Sequence, residues 1–151
     1  MKRRDFLLCG AALSSGLMVR PAFATGESMV VYKDPNCGCC HEWTSAMKNA
    51  GFSVVSHDLD DLEPIKKRFA IPADMQGCHT ASLAGYFIEG HVPLDAITRL
   101  LAERPNIAGL AVPGMPSGSL GMGDDPGASY DVFAVAKDGA IGVYQSVRPR
   151  P

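Results

Sequence analysis

Three cysteines within a four-residue segment constrain this chain more than any other feature. Cys37, Cys39 and Cys40 follow an apolar, strand-like run at 29–32 and precede a helical pattern that starts near His41. The N-terminus of a helix carries partial positive charge, which lowers thiol pKa values and favours thiolates. Three thiolates this close repel one another. They therefore need a soft cation, or two of them must oxidise to a disulfide.

The first 24 residues have the pattern of an export signal. Arg3 and Arg4 lie in a basic start, a mostly apolar stretch follows, and residues 22–24 form a small-x-small cleavage signal. The paired arginines are typical of twin-arginine export, and an ordinary secretory signal is the alternative interpretation. We therefore predict a signal peptide at 1–24, one domain at 25–151, and localisation in the periplasm.

Charge and hydropathy narrow the range of partners. The chain has 14 Lys and Arg residues against 16 Asp and Glu residues, a formal net charge of −2, and its predicted signal is basic. The domain that remains is more acidic, which argues against a nucleic-acid partner. It has no second long apolar run, so we expect no stable membrane insertion after cleavage.

Strand and helix patterns alternate along residues 29–104. Apolar residues recur at helical spacing after the cysteine segment, near Leu62 and after Pro93, and short strand-like runs separate these stretches. The order β-α-β-α-β-β-α predicts an α/β fold, a thioredoxin-like mixed sheet flanked by helices. The cysteine segment would lie between the first strand and the first helix.

A long loop rich in Gly, Pro and Met follows the third predicted helix. It spans 109–129 and contains no charged residue until Asp124, so we expect it to pack against the protein. Two strand-like runs at 130–136 and 141–147 then predict a β-hairpin around Asp138-Gly139.

The cysteine spacing favours metal binding over disulfide exchange. Cys37 and Cys40 alone have the Cys-x-x-Cys spacing of a dithiol oxidoreductase, but Cys39 offers competing disulfides. Cys78 and His79 add a thiol and an imidazole just before the third strand, where thioredoxin-like enzymes usually carry a cis-proline. A thiol at that position points toward a metal site.

The donor types favour copper. Thiolates select Cu(I), zinc or iron–sulfur clusters, and thioether sulfurs favour Cu(I) over zinc. Two methionines of the long loop and three histidines near strand ends extend the set of donors. The candidate ligands are Cys37, Cys39, Cys40, Cys78, His41, His79, His91, Met115 and Met122.

The weaker candidates also have purely structural interpretations. Met115 and Met122 fit loop packing, and His41 fits the first turn of a helix. His91 fits a hydrogen bond in a turn, and Cys78 fits a buried, inert thiol.

Four motifs together resemble the CopG family of exported copper-resistance proteins. They are the Cys-x-Cys-Cys segment and the segments at 77–81, 89–93 and 109–116, and the resemblance covers nearly all of 29–147. It implies a thioredoxin-like fold and a role in periplasmic copper tolerance, with a multinuclear Cu–thiolate cluster and interconversion of Cu(I) and Cu(II). The copper site that it implies is built on Cys37, Cys39, Cys40 and Cys78.

Three classes of function remain open on the sequence. The first is a copper-binding or copper-redox resistance protein, which would exchange copper ions with other periplasmic copper-handling proteins. The second is a thiol–disulfide oxidoreductase, and the third is an iron–sulfur electron carrier. We expect a metal-binding protein rather than an enzyme, and any enzyme activity would be that of a copper-linked oxidoreductase.

Overall fold

The structure is a computed structural model that describes residues 26–150. The predicted signal peptide lies outside these residues. The α-helices are α1 (Gly38–Asn49), α2 (Glu63–Arg68) and α3 (Leu94–Glu103), and a short 3-10 helix covers Ala73–Met75. The strands are β1 (Ser28–Lys33), β2 (Ser53–Asp58), β3 (His79–Leu83), β4 (Tyr86–Gly90), β5 (Gly109–Val112), β6 (Tyr130–Val135) and β7 (Ile141–Val147).

One mixed sheet of seven strands organises the described chain, in the order β2-β1-β3-β4-β5-β6-β7. Strand β1 runs parallel to β2 and antiparallel to β3, and β4 runs antiparallel to β3 and parallel to β5. The C-terminal hairpin of β6 and β7 completes the sheet through antiparallel pairing with β5. The predicted mixed α/β sheet flanked by helices is confirmed, while its thioredoxin type stays a prediction.

The hydrophobic core has two parts. The larger part packs α1 and α3 against the sheet, with Trp43, Met47 and Leu100 fully buried. The smaller part joins Met75 and Phe87 with residues of β5 and β6. None of the helices at 26–150 is long and apolar enough to cross a membrane.

Helix α1 begins earlier than the sequence pattern indicated. The prediction placed its start near His41, but Cys37 is the N-cap, with φ −78° and ψ 97°, and the helix begins at Gly38. Cys39 and Cys40 therefore lie in its first turn. The helix ends at Asn49, and Gly51 follows in the left-handed region with φ 98°.

The region 109–129 is not all loop. Its first four residues form strand β5, which is fully buried between β4 and β6. Gly109 permits this close approach, because a Cβ there would overlap the Phe87 carbonyl oxygen and lie 2.5 Å from the Phe87 Cγ. The loop proper therefore covers 113–129, and we call it the C-terminal loop.

We predict that Gly109→Ala destabilises the fold by about 1–3 kcal/mol, because the added methyl group forces backbone shifts between β4 and β5. The free energy of unfolding in urea measures the loss. Gly142→Ala on β7 is the control, since a Cβ there meets nothing within 4 Å and φ is not positive. Equal stability of the two variants would contradict the packing described.

Candidate metal centre

The cysteines of the centre come from two places that the sheet brings together. Cys37 caps α1, and Cys39 and Cys40 lie in the first turn of that helix. Cys78 directly precedes β3, which pairs antiparallel to β1 with Lys33 opposite His79. The end of β1 and the start of β3 are therefore neighbours, and the helix that follows β1 begins beside Cys78.

Four sulfur atoms lie close enough to one another to share a metal ion. The Sγ atoms of Cys37, Cys39, Cys40 and Cys78 are all within 4.8 Å of one another. Cys39 Sγ lies 3.4 Å from Cys37 Sγ and 3.9 Å from Cys78 Sγ. Cys40 is fully buried, whereas the other three are partly exposed. This arrangement gives a thiol cluster with one side open to solvent.

Two of these sulfurs are joined in the structure. Cys37 and Cys40 form a disulfide, and Cys39 and Cys78 are free thiols. Of the two predicted fates of the cysteine segment, the structure contains the disulfide, and metal binding stays a prediction. Only reduction of the Cys37–Cys40 bond, by two electrons and two protons, makes all four sulfurs available to a metal.

Two buried histidines extend the centre away from solvent. The Sγ atom of Cys78 lies 2.9 Å from His91 Nε2 and 3.4 Å from His79 Nδ1. His79 is fully buried against the Trp43 ring, and its Nε2 has no hydrogen-bond partner among the described residues. A buried polar atom without a partner points to an unmet interaction, such as one with an ion or water.

Ser119 of the C-terminal loop orients His91. Its hydroxyl donates to the Pro116 carbonyl oxygen at 2.6 Å, so its Oγ accepts the Nδ1 proton of His91 at 3.0 Å. That tautomer leaves a lone pair on His91 Nε2, which faces the Cys78 sulfur. Orientation of a histidine through its second nitrogen is typical of metal ligands.

Burial keeps these groups uncharged in the metal-free protein. Burial, aided by the neighbouring Cys39, raises the pKa of the Cys78 thiol to about 12. Burial lowers the pKa of His79 to about 3 and also lowers the pKa of His91. Neutral imidazoles are ready donors, and a bound cation would reverse the penalty on the Cys78 thiolate.

The C-terminal loop borders the open side of the thiol cluster without closing it. Met115 Sδ lies 3.8 Å from Cys39 Sγ, although 54% of the Met115 surface remains exposed. Gly121, with φ 100°, packs so closely that a Cβ would lie 2.6 Å from the Cys39 carbonyl oxygen. The loop therefore places one methionine at the cluster.

Two predicted candidates lie apart from this group. The structure does not bring His41 to the thiols: its ring is exposed, and its Nε2 lies 3.0 Å from the Pro35 carbonyl oxygen and 3.3 Å from Lys33 Nζ. His41 follows Cys40 directly in the helix, and its side chain points toward the salt bridge of Lys33 and Asp58. Met122 is also exposed, and the thioether that lies beside Cys39 is that of Met115.

Sequence reasoning missed three polar residues near the centre. They are Ser119 of the C-terminal loop, whose sequence is dominated by glycine, proline and methionine, and the buried ion pair of Lys66 and Glu89. The strand-like run at 86–89 ends in a carboxylate that is fully buried. A charge at the end of an apolar strand, two residues before His91, was the available signal.

Comparison with known proteins assigns the family. Residues 75–122 match the family described as "Protein of unknown function, DUF411". The solved structure titled "Copper resistance protein copG- Form 1" is 38% identical, with a TM-score of 0.76, over 82% of this chain and 98% of that chain. The chain belongs to the CopG family. The structure of "Form 2" agrees, with 37% identity, a TM-score of 0.74, and coverage of 81% and 98%.

No match is found among curated protein sequences. The family match from 75 to 122 includes Cys78, His79, His91, Met115 and Ser119, so it spans the second half of the centre. Membership of the CopG family, together with the thiol cluster, supports a copper-related function.

We predict that the two methionines of the C-terminal loop differ in importance. Met115→Leu keeps the side-chain volume but removes the sulfur beside Cys39, and should weaken Cu(I) binding about tenfold. Met122→Leu is the matched control and should leave the affinity unchanged. Competition with a Cu(I) chelator under reducing conditions measures both, and equal affinities for the two variants would refute the role of Met115.

Proposed function

We propose that this chain is a periplasmic copper-resistance protein that binds Cu(I) through Cys37, Cys39, Cys40 and Cys78. The observation that carries the proposal is the convergence of four sulfur atoms within 4.8 Å in a chain of the CopG family. Thiolates also suit zinc and iron–sulfur clusters, so the preference for Cu(I) comes from the Met115 thioether beside Cys39 and from membership of the CopG family.

The surroundings of the cluster suit copper as a bound cargo. The cluster is open on the side of Cys39 and Met115, which allows a copper ion to enter or leave without unfolding of the core. The two imidazoles lie on the buried side, where they extend the donor set beyond Cys78. A mixed set of sulfur and nitrogen donors is also compatible with a change between Cu(I) and Cu(II).

Each residue of the centre has a distinct task in this proposal. Cys78 gives up its proton when the metal binds, so copper uptake releases protons. His91 offers its Nε2 lone pair, which the hydrogen bond to Ser119 keeps free. Met115 supplies a thioether on the exposed side, where exchange with other copper-handling proteins would take place.

The redox state of Cys37 and Cys40 controls the capacity of the site. Their disulfide removes two of the four sulfur donors, so the oxidised form should bind Cu(I) more weakly than the reduced form. Reduction by an external dithiol would restore the full set of donors.

A second candidate function is thiol–disulfide exchange, and the same disulfide favours it. Cys37 and Cys40 occupy the N-terminus of α1, where helix dipoles promote thiolates, and their disulfide is the oxidised form of such an enzyme. Cys39 distinguishes the two candidates, because an exchange enzyme does not need it and a copper cluster does.

We predict that Cys39→Ser weakens Cu(I) binding by at least about tenfold and lowers copper tolerance in cells, since it removes the sulfur between Cys37 and Cys78. Reduction of insulin disulfides by the same variant is the parallel measurement. An oxidoreductase would retain its reductase activity and its copper tolerance. Retention of both properties would reject the copper proposal in favour of the oxidoreductase.

We further predict that protein recovered from the periplasm begins at Thr25, as cleavage after residues 22–24 requires. N-terminal sequencing or intact mass measures the start. A mature protein that retains residues 1–24, or that is confined to the cytoplasm, would reject the proposed localisation.

A further inference from the structure

A buried ion pair lies beside the cysteine that precedes β3. Lys66 of α2 and Glu89 of β4 form a salt bridge, with side-chain exposures of 8% and 0%. Burying two charges costs several kcal/mol of hydration, so a buried ion pair is weak evidence for a stabilising role. The hydrogen bonds of Lys66 and Glu89 show which part of the chain the two side chains hold.

The ion pair holds both polar backbone groups of Gly77, the residue before Cys78. The Gly77 N–H donates to Glu89 Oε1 at 2.8 Å, and Lys66 Nζ donates to the Gly77 carbonyl oxygen at 3.1 Å. Thr80 Oγ1 donates to the second carboxylate oxygen of Glu89 at 2.5 Å. Glu89 thus has three partners, two of which flank Cys78 in the chain.

Backbone packing leaves Gly77 little room to move. A Cβ on Gly77 would lie 2.6 Å from the Gly90 Cα and 3.2 Å from the Val112 carbonyl oxygen. Gly77 also forms a parallel bridge with Gly114, and the Gly114 N–H donates to the Gln76 carbonyl oxygen. The peptide before Cys78 is therefore held by backbone packing on several sides and by its hydrogen bonds to the ion pair.

We propose that Lys66 and Glu89 are positioning residues that hold the Cys78 thiol against Cys39 in the metal centre. The inference rests on the proposed function in so far as Cys78 is a copper ligand. Without the pair, the 76–78 segment loses the side-chain hydrogen bonds to Gly77. The Cys78 sulfur then no longer has a fixed position opposite Cys39 and His91. Partners of this kind typically change metal affinity about 10- to 100-fold.

A measurement without metal tests the positioning directly. In a full chain carrying Cys9→Ser, Cys37→Ser, Cys39→Ser and Cys40→Ser, Cys78 is the only thiol. We expect the double substitution Lys66→Met, Glu89→Gln to raise the rate at which an aromatic disulfide reagent labels Cys78 by about tenfold, because the segment opens more often.

The matched control is a second ion pair on the same helix. Glu63 and Lys67 are exposed, at 49% and 75%, and form their salt bridge with each other. The double substitution Glu63→Gln, Lys67→Met should leave the labelling rate at the starting value. A folded Lys66→Met, Glu89→Gln variant that labels no faster than this control overturns the inference.

A milder variant keeps the test valid if the double variant does not fold, as judged by circular dichroism. Thr80→Val removes the hydroxyl that donates to Glu89 and accepts from Lys66, and it leaves both charged side chains in place. We expect a smaller increase in the labelling rate of Cys78. An unchanged rate in this variant, in the absence of a folded double variant, also overturns the inference.

Copper binding supplies the second measurement, made on the chain with all its cysteines. Lys66→Met, Glu89→Gln should weaken Cu(I) affinity about 10- to 100-fold, and this loss should disappear in a Cys78→Ser background. A loss that persists without Cys78 overturns the inference, because the pair would then act elsewhere. A starting chain that binds no Cu(I), but whose Cys78 labelling responds as expected, rejects the proposed function and leaves the positioning role intact.

Discussion

The antiparallel pairing of β1 with β3 is the constraint on which the rest of the centre depends. It fixes the end of β1, from which the cysteine segment departs, next to the start of β3, which Cys78 precedes. Strand register leaves little freedom here, because a shift by one residue would turn every side chain of β3 to the opposite face. Backbone hydrogen bonds of the sheet therefore bring together sulfurs that lie far apart in the sequence, without help from a metal.

The environment of these sulfurs sets their protonation state and their tendency to bind a metal. Burial keeps the Cys78 thiol and the imidazoles of His79 and His91 uncharged, which removes repulsion from the metal-free state. The same burial makes an unpaired thiolate costly, so a bound cation would be strongly favoured at this point. The C-terminal loop adds Met115 on the exposed side and Ser119 on the buried side. A single segment thus supplies both a thioether sulfur and the hydrogen bond that orients His91.

Much of the fold could be predicted from the sequence because its elements are locally encoded. Helices α1 and α3 and the two hairpins follow from apolar spacing and from turn residues. Strand β5 could not be predicted, since its four residues are stable as a strand only through their neighbours β4 and β6. The sequence pattern did not identify the burial of Lys66 either, because its position beside Ile65 gives no sign of the carboxylate that it meets on β4.

The candidate metal centre, like the fold, could be predicted from the sequence only in part. The convergence of the four cysteines could be expected from motif spacing and the order of elements, whereas side-chain direction could not. His41 and His79 each follow a cysteine, but a first-turn helical position points His41 to Lys33, and a strand start points His79 into the core.

The proposed copper site can be tested by the metal content of the protein, isolated without oxygen from copper-stressed cells. We predict copper in at least equimolar amount, lost when the cysteines are alkylated. A protein that contains iron and sulfide instead, or that carries only the Cys37–Cys40 disulfide and no copper, would contradict it.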